Sequence, residues 1–392
     1  MVPLATRLNQ IKSFHVMALL DRAKQLEAQG RDIIHLEVGE PDFPTPDNVV
    51  EAGIRAMRQG HTRYTAPTGL PELKRAIAAF YQSRYGVALD WRRVVVTPGA
   101  SGAIALVTAL LFDPGAGVLL ADPGYPCNDN FLRLLGAVPQ RVATGPASRY
   151  QLTAELVRQH WQPDTRGAWV ASPSNPTGTL LSLVALGAIQ AEVDARGGAL
   201  LVDEIYHGLT YGLDAETALA LPDPNASLFV VNSFSKYFNM TGWRLGWLVA
   251  PEAYIEPLDR MAQNFFLAPP TVAQHAALEA FSPQSIAVYE QRREILRQRR
   301  DFLVRELPAL GIKLRCVPEG AFYLYCDVSA ITNDSFTFCG QVLERTGVAI
   351  TPGIDFGEHE ANHHVRIAYT ADLERLAQAV TRLRDFIARG AA

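Results

Sequence analysis

The sequence Leu228-Phe-Val-Val-Asn-Ser-Phe-Ser-Lys236 joins an apolar, β-branched run to a polar turn that ends in a lysine. Similar runs recur at Arg93–Thr97, Val118–Asp122, Ala168–Ser172 and Leu200–Asp203. Several are followed by a Gly/Pro/Ser/Asn turn and then by a helical pattern. Near-continuous apolar runs of four or five residues are typical of strands covered on both faces. The alternation predicts a large three-layer α/β/α domain with a mainly parallel sheet, and ligands bind such sheets at the carboxyl ends of the strands.

The C-terminal third has a different sequence pattern. A charged helix is predicted over about Gln284–Leu307, followed by strand-like runs at Ala321–Cys326 and Val365–Tyr369 and a closing helix from about Asp372. We therefore expect a small α+β domain over residues 284–392, a large ligand-binding domain over 41–283, and an N-terminal segment, 1–40, that packs with the small domain. The arginines of the charged helix could form a nucleic-acid stripe, but their interleaved Glu and Asp favour a solvated helix face.

The amino-acid composition excludes or disfavours several classes of protein. Of 392 residues, 48% are hydrophobic and 19% charged, which excludes a disordered or collagen-like chain. A formal net charge of −4 argues against a dedicated nucleic-acid or anionic-membrane binder. The four cysteines form no CxxC pair and predict free thiols rather than disulfides or a zinc site. The longest apolar stretch, Ala103–Phe112, is about half a membrane span, and no secretory signal is visible, so we expect a cytoplasmic protein.

The polar turn at the end of the opening stretch carries candidate chemistry. Ser233 and Ser235 precede Lys236, and Arg244 follows eight residues later. Most lysines are surface residues, and the pattern SxSK is weak by itself. Two hydroxyls and a guanidinium, however, suit a phosphate dianion, and a neighbouring lysine can form an imine with an aldehyde on the same molecule. Together they indicate pyridoxal 5'-phosphate.

That cofactor needs a carboxylate at its pyridine nitrogen, because a protonated ring is the electron sink. Asp203 ends the run Leu201-Val-Asp203 and could supply it, although aspartate at a strand end is often only a helix N-cap. Tyr206 and Asn175 are natural donors to the ring oxygen. Asn175 lies in the turn Ser172-Pro-Ser-Asn-Pro-Thr-Gly178.

With these residues in place, the chain resembles the class I/II aminotransferases of pyridoxal-phosphate fold type I. The family's motifs occur in order over nearly the whole length: Val38-Gly-Glu-Pro-Asp-Phe-Pro-Thr-Pro46, Tyr64-Thr-Ala-Pro-Thr-Gly69, Pro98-Gly-Ala-Ser-Gly102, Asp122-Pro-Gly-Tyr-Pro126, Ser172–Gly178, Val202–Tyr206, Ser233–Lys236 and Val365-Arg-Ile367. Each motif is weak alone, but eight in sequence are a strong signal.

The resemblance implies roles for individual residues around the cofactor. Lys236 would form the Schiff base and then act as the general base, Asp203 would face the pyridine nitrogen, and Tyr125 would stack on the ring. Tyr206 and Asn175 would donate to the ring oxygen. The implied phosphate ligands are Ala100, Ser101, Gly102, Ser233, Ser235 and Arg244.

The resemblance also implies residues for the substrate and a partner subunit. Arg366 would grip the α-carboxylate bidentately, with Asn175 nearby, and Gly39 would bring its backbone close to the same carboxylate. Tyr64 would reach the phosphate of a neighbouring subunit, which implies a homodimer with active sites at the interface.

Two positions depart from the family's pattern. Gly102 stands where many relatives carry Gln or Glu, so it is expected to contribute backbone alone. Ser101 stands where aspartate-using relatives often place a cation, which disfavours a dedicated aspartate enzyme. The pocket is also expected to be aromatic, with Phe14, Tyr125, Phe322 and Tyr323 as candidates.

The activity implied is a ping-pong transfer of an amino group between an L-amino acid and a 2-oxo acid. A fold-type I lyase that performs β-elimination is the nearer alternative, because the same cofactor constellation serves it. A regulator module that retains a cofactor site is the more distant one, and it would need a DNA-binding domain ahead of Val38.

A competing motif, His359-Glu-Ala-Asn-His363, satisfies the zinc-protease pattern HExxH. That chemistry requires a helix that places both histidines on one face. The stretch lies between a Gly/Pro-rich turn and the strand of Arg366, so we interpret it as a polar surface loop and expect no metal.

Overall fold

The computed structural model describes residues 2–11, 15–222 and 227–390. Phe14, one of the candidate pocket aromatics, lies outside these ranges. The α-helices of the described chain are α1 His15–Ala28, α2 Asp47–Arg58, α3 Pro71–Tyr85, α4 Gly99–Leu111, α5 Pro126–Leu134, α6 Ala154–His160, α7 Leu183–Asp194, α8 Ile255–Phe265, α9 Thr271–Glu279, α10 Pro283–Glu306, α11 Ser335–Thr346 and α12 Leu373–Ala388. The strands are β1 Ile34–His35, β2 Val94–Thr97, β3 Gly117–Asp122, β4 Val138–Ala143, β5 Thr165–Ala171, β6 Ala199–Asp203, β7 Leu228–Ser233, β8 Gly246–Val249, β9 Lys313–Leu314, β10 Tyr323–Asp327, β11 Val348–Ala349, β12 Thr351–Pro352 and β13 His364–Ala368.

The large sheet confirms the predicted α/β fold. Its strand order is β2-β8-β7-β6-β5-β3-β4, and all neighbours pair in parallel except β8, which is antiparallel to β2 and β7. Successive residues of β6 enter two different hydrophobic clusters: Leu200 and Val202 pack on one face and Leu201 on the other. Both faces are therefore covered by helices, which explains why these strands are apolar without alternation.

The helix α10 follows the sequence prediction closely. Ser282 caps it by accepting a hydrogen bond from the Ser285 backbone N–H, and Pro283 occupies the first turn, where its missing N–H is harmless. Arg297 lies on the solvated face and pairs with Glu294 and Asp301. The arginine on this face is therefore paired with acidic side chains of the same helix, as the interleaved Glu and Asp residues predicted.

One arginine of α10 departs from that surface interpretation. Arg299 is 4% exposed and forms a bidentate ion pair with Asp42, both Nη–Oδ distances being 2.8 Å. Its Nη1 also donates to the Thr370 carbonyl. Arg299 thus ties the Glu-Pro-Asp motif that follows Gly39 to the C-terminal part of the chain.

A smaller sheet lies beyond α10, with the order β12-β13-β10-β9, antiparallel throughout. The short strand β1 pairs in parallel with β11, so the segment that precedes Gly39 adds to this part of the molecule. The Ala368 backbone N–H also donates to the Leu36 carbonyl at 2.8 Å. These contacts support the division into residues 1–40, 41–283 and 284–392, which stays our proposal.

The parallel strands end at one edge of the large sheet. The turns after β2, β3, β5 and β7 carry Gly99, Tyr125, Asn175 and Lys236, and Asp203 is the last residue of β6. These turns lie far apart in sequence, and the shared direction of the strands brings them together. None of the helices in the described ranges is long and apolar enough to cross a membrane.

Candidate active site

A cavity of about 340 Å³ lies at this edge, between the large sheet, the small sheet and the start of α1. It collects most of the site residues that the sequence indicated: Gly39, Ala100, Ser101, Tyr125, Asn175, Asp203, Tyr206, Ser233, Ser235, Lys236, Arg244 and Arg366. Three of the described candidates are not in its lining: Gly102, Tyr64 and the aromatic Phe322. Gly102 faces Pro98 and Thr97 inside the first turn of α4, and Tyr64 is 80% exposed on the surface of this chain.

Lys236 lies at the centre of the cavity, three residues after β7. Its Nζ donates a hydrogen bond to the Gly39 carbonyl at 2.7 Å. Burial lowers the pKa of Lys236 to about 8, helped by the positive charges of Arg366 and Arg244 and opposed by Glu40 and Asp203. A sizeable fraction of this amine is therefore neutral near physiological pH, as a nucleophile or a base must be.

Asp203 ends β6 and is 6% exposed. Burial raises the pKa of its carboxyl to about 6, although the Ile205 backbone N–H donates to Oδ1 at 3.0 Å and Lys236 lies nearby. Near neutral pH the group is an anion in a poorly solvated position. It would gain strongly from a cationic N–H partner, which is what a pyridinium nitrogen offers.

An anion cradle lies on the other side of Lys236. It consists of the N-terminal turn of α4, the hydroxyls of Ser233 and Ser235, 2.9 Å apart, and Arg244. A Cβ at Gly99 would come 2.6 Å from Nη2 of Arg244, so the guanidinium lies directly over the start of α4. Free backbone N–H groups, hydroxyls and a guanidinium are the donors that bind phosphate in proteins.

A network of polar side chains lies between Lys236 and the small sheet. The Tyr206 and Tyr323 hydroxyls are 3.0 Å apart. Asn175 accepts a hydrogen bond from Nη1 of Arg366 at 3.0 Å through its Oδ1, which orients its amide N–H₂ away from the arginine. A Cβ at Gly39 would collide with the Tyr323 hydroxyl, so glycine is required at this close approach.

Arg366 projects from β13 and is 4% exposed. Its guanidinium lies between two aromatic rings, 4.4 Å from the Tyr323 centroid and 4.7 Å from that of Phe356. Nη2 donates to the Glu37 carbonyl, and Nε has no hydrogen-bond partner among the described residues. The arginine is thus held rigidly in the cavity lining, and a rigidly placed guanidinium is suited to a carboxylate ligand.

Sequence reasoning missed the residues that hold Arg366. Glu37, Thr351 and Phe356 all contact its guanidinium; Glu37 comes from a distant segment, whereas Thr351 and Phe356 lie in the stretch that precedes β13. Phe356 follows the turn that precedes the HExxH motif, which offered no signal of its own. The pairing of Thr351 with Arg366 across β12 and β13 follows from strand register, which is a tertiary property.

The HExxH stretch does not form an α-helix. Its second half is a single 3-10 turn, Ala361–His363, and Glu360 adopts a left-handed conformation at φ 51°. The two histidines therefore lack the shared helical face that the zinc motif requires. Within the described ranges, no cluster of three or more His, Cys, Asp or Glu residues is arranged to hold a metal.

The fold and the cavity together define an α/β enzyme whose reactive lysine lies beside an anion cradle and a buried carboxylate. Comparison with known proteins identifies the class. The model of the family described as aminotransferase class I and II matches residues 31–383. The chain belongs to this family, and it is a pyridoxal-phosphate-dependent transaminase.

Similar proteins match over almost their full lengths. The valine–pyruvate aminotransferase of Mycobacterium tuberculosis is 38% identical, over 96% of this chain and 97% of its own. The aspartate/prephenate aminotransferase of Thermus thermophilus is 35% identical, over 98% and 99%. A solved aminotransferase structure from Mycobacterium tuberculosis superposes with a TM-score of 0.95 at 37% identity, covering 99% of this chain and 100% of that one.

The residues of the cavity fit pyridoxal phosphate. The anion cradle suits its phosphate, Asp203 suits its ring nitrogen, and the buried amine of Lys236 suits its aldehyde. The amide of Asn175 and the hydroxyl of Tyr206 also line the cavity and are donors that would suit the cofactor's ring oxygen.

The pKa of Lys236 predicts how cofactor loading depends on pH. If Lys236 is the residue that binds the cofactor's aldehyde, only its neutral amine would react, so the rate of loading should rise with pH and reach half its maximum near pH 8. An ordinary lysine would be roughly 0.3% neutral at that pH. The measurement is the initial rate of cofactor binding to cofactor-free protein, followed by absorbance. A blocked lysine peptide under the same conditions corrects for titration of the cofactor itself, and a midpoint above pH 10 would contradict the lowered pKa.

Proposed function

We propose that the chain transfers an amino group from an L-amino acid to a 2-oxo acid in a ping-pong sequence, with Lys236 as the residue that carries the cofactor and moves the proton. The observation that supports this most directly is the convergence of Lys236, Asp203 and Arg366 on one cavity. Bound pyridoxal phosphate supplies an aldehyde that condenses with amines and a ring that accepts the electron pair released at Cα.

The proton transfer is assigned to Nζ of Lys236. Its lowered pKa leaves an unprotonated amine available to accept the Cα proton, and the same Nζ then returns the proton at the neighbouring carbon. The Gly39 carbonyl, 2.7 Å from Nζ, is a hydrogen-bond acceptor that can hold the released amine within the cavity.

Arg366 is assigned the α-carboxylate. Its guanidinium is fixed by Asn175, the Glu37 carbonyl and two flanking rings, so a carboxylate bound to it has little freedom to rotate. Fixing the carboxylate orients the Cα–H bond toward Lys236, and positioning of this kind lowers the barrier as well as KM. Asp203 would keep the ring nitrogen protonated.

We further propose a homodimer in the cytoplasm. Tyr64 is highly exposed in this chain, which is consistent with contact to a partner's phosphate rather than its own. Cys127, Cys316, Cys326 and Cys339 are all free thiols, as in proteins of a reducing compartment.

The ping-pong sequence is tested by steady-state kinetics. Initial rates measured against the amino acid at several fixed concentrations of the 2-oxo acid should give parallel double-reciprocal lines, because the first product leaves before the second substrate binds. The amino acid alone should convert the bound cofactor from its aldehyde to its amine form. Intersecting lines, or release of ammonia in place of that conversion, would contradict the proposal, and ammonia would indicate a lyase.

A further inference from the structure

The first turns of α1 present apolar side chains to the active-site cavity. Val16, Met17 and Leu20 all belong to its lining, and Met17 is 52% exposed. Ile104 of α4 and Phe131 of α5 contribute further apolar surface to the same cavity. The cavity thus contains an apolar wall, defined here as Val16, Met17 and Leu20, in addition to its polar machinery.

The described residues of this chain offer the cavity no fourth cation for a second carboxylate. Among the described residues, its lining contains the cations Lys236, Arg244 and Arg366. The proposed function assigns these to the aldehyde, the phosphate and the α-carboxylate, respectively. A substrate carboxylate beyond Cβ would therefore find no cationic partner in this chain, whereas an apolar side chain would bury its surface against the apolar wall.

The apolar wall is held in place from the small sheet's side. Asp355 is 7% exposed, and its two carboxylate oxygens accept hydrogen bonds from the backbone N–H groups of His15 and Val16, at 2.8 and 2.7 Å. Its chain neighbour Phe356 stacks on Arg366. The same short segment therefore fixes both the start of α1 and the proposed carboxylate-binding arginine.

We propose that α1 recognises the substrate side chain and that this side chain is apolar. Asp355 is the positioning residue that holds the apolar wall at the correct distance from Arg366. This inference rests on the proposed function. It assigns the substrate class to alkyl or aromatic L-amino acids rather than dicarboxylic ones.

The substrate class is tested with holoenzyme and the half-reaction absorbance change. We expect kcat/KM for L-leucine to exceed that for L-aspartate by on the order of 100-fold. Met17→Lys adds a cation to the wall and should lower this ratio at least tenfold. Met57→Lys is the matched control, since Met57 on α2 is 53% exposed and outside the cavity lining, and it should leave the ratio unchanged.

An L-aspartate kcat/KM equal to that for L-leucine, or equal ratios in the two lysine variants, would overturn the assignment of the substrate class. Failure of every amino acid to convert the bound cofactor would instead contradict the roles proposed for Lys236 and Arg366.

The role of Asp355 is tested with Asp355→Asn, whose amide can accept through one atom but not through both. We expect the L-leucine to L-alanine ratio of kcat/KM to fall about tenfold, mainly through KM for leucine, because the methyl group of alanine makes little contact with the wall. Any effect of the substitution on Arg366 that is the same for L-leucine and L-alanine cancels in this ratio of kcat/KM values. A variant that loses activity equally on both amino acids would show that Asp355 is merely structural.

Discussion

Replacement of Lys236 by alanine should abolish transamination and remove the absorbance band of the lysine-bound cofactor. Three proposed functions of Lys236 would be lost together: the covalent attachment, the base that takes the Cα proton and the acid that returns it. General acid–base catalysis alone contributes about 10²- to 10⁴-fold. We therefore expect kcat to fall by on the order of 10⁴-fold or more, measured in single-turnover experiments with cofactor added in excess.

The Lys236 variant should still fold and still bind the phosphate of the cofactor. Ser233, Ser235, Arg244 and the start of α4 do not depend on the lysine side chain for their positions, and Nζ makes its hydrogen bond to the Gly39 carbonyl. Lys313→Ala, which removes an exposed lysine on β9, is the matched control and should retain full activity. Wild-type turnover in the Lys236→Ala protein would overturn the assignment of the catalytic base.

Arg366→Lys should lower kcat/KM by on the order of 10³-fold, equivalent to about 4 kcal/mol. Lysine keeps the charge but cannot donate two parallel hydrogen bonds to a carboxylate. It would also leave the Asn175 Oδ1 and the Glu37 carbonyl without the donors that they have now. Because the proposed role of Arg366 is to orient the Cα–H bond through the carboxylate, kcat should fall together with a rise in KM.

The control for this arginine is Arg305→Lys on α10, whose side chain is 67% exposed and pairs only at the surface with Glu306. It should change kcat/KM by less than about twofold. The cofactor's absorbance should be normal in both variants, since neither residue belongs to the anion cradle. If Arg366→Lys raised KM and left kcat unchanged, Arg366 would contribute affinity without orienting the substrate.

Local sequence was sufficient for much of the fold. Uninterrupted apolar runs such as Leu200–Val202 require cover on both faces, so they predict a parallel α/β sheet before any contact is known. The turns that follow them predict where polar side chains gather. The antiparallel insertion of β8 between β2 and β7 carried no such signal, because strand direction depends on the path of the connecting chain.

The candidate site likewise contains residues that the sequence predicted and contacts that it did not predict. Ser233, Ser235 and Lys236 are neighbours in sequence, so the sequence pattern alone predicts that they share a site. The environment of Arg366 could not be read in this way, because Glu37 and Asn175 reach it from two distant segments and Phe356 from a turn whose path only the fold defines. Gly102 shows the limit of position-by-position reasoning: it follows two cavity residues in sequence, yet helix geometry turns it toward Pro98.

The amino-acid sequence by itself determined the type of fold and the family, and it predicted Lys236 as the reactive lysine, because each depends on residues that lie close together along the chain or on motifs in a fixed order. Only the tertiary structure decided which side chains hold Arg366, how far the pKa of Lys236 falls, and that Asp355 holds the start of α1 over the cavity. The reason is physical: burial, electrostatic environment and hydrogen bonding between distant segments come into being when the chain packs, and no local pattern encodes their distances.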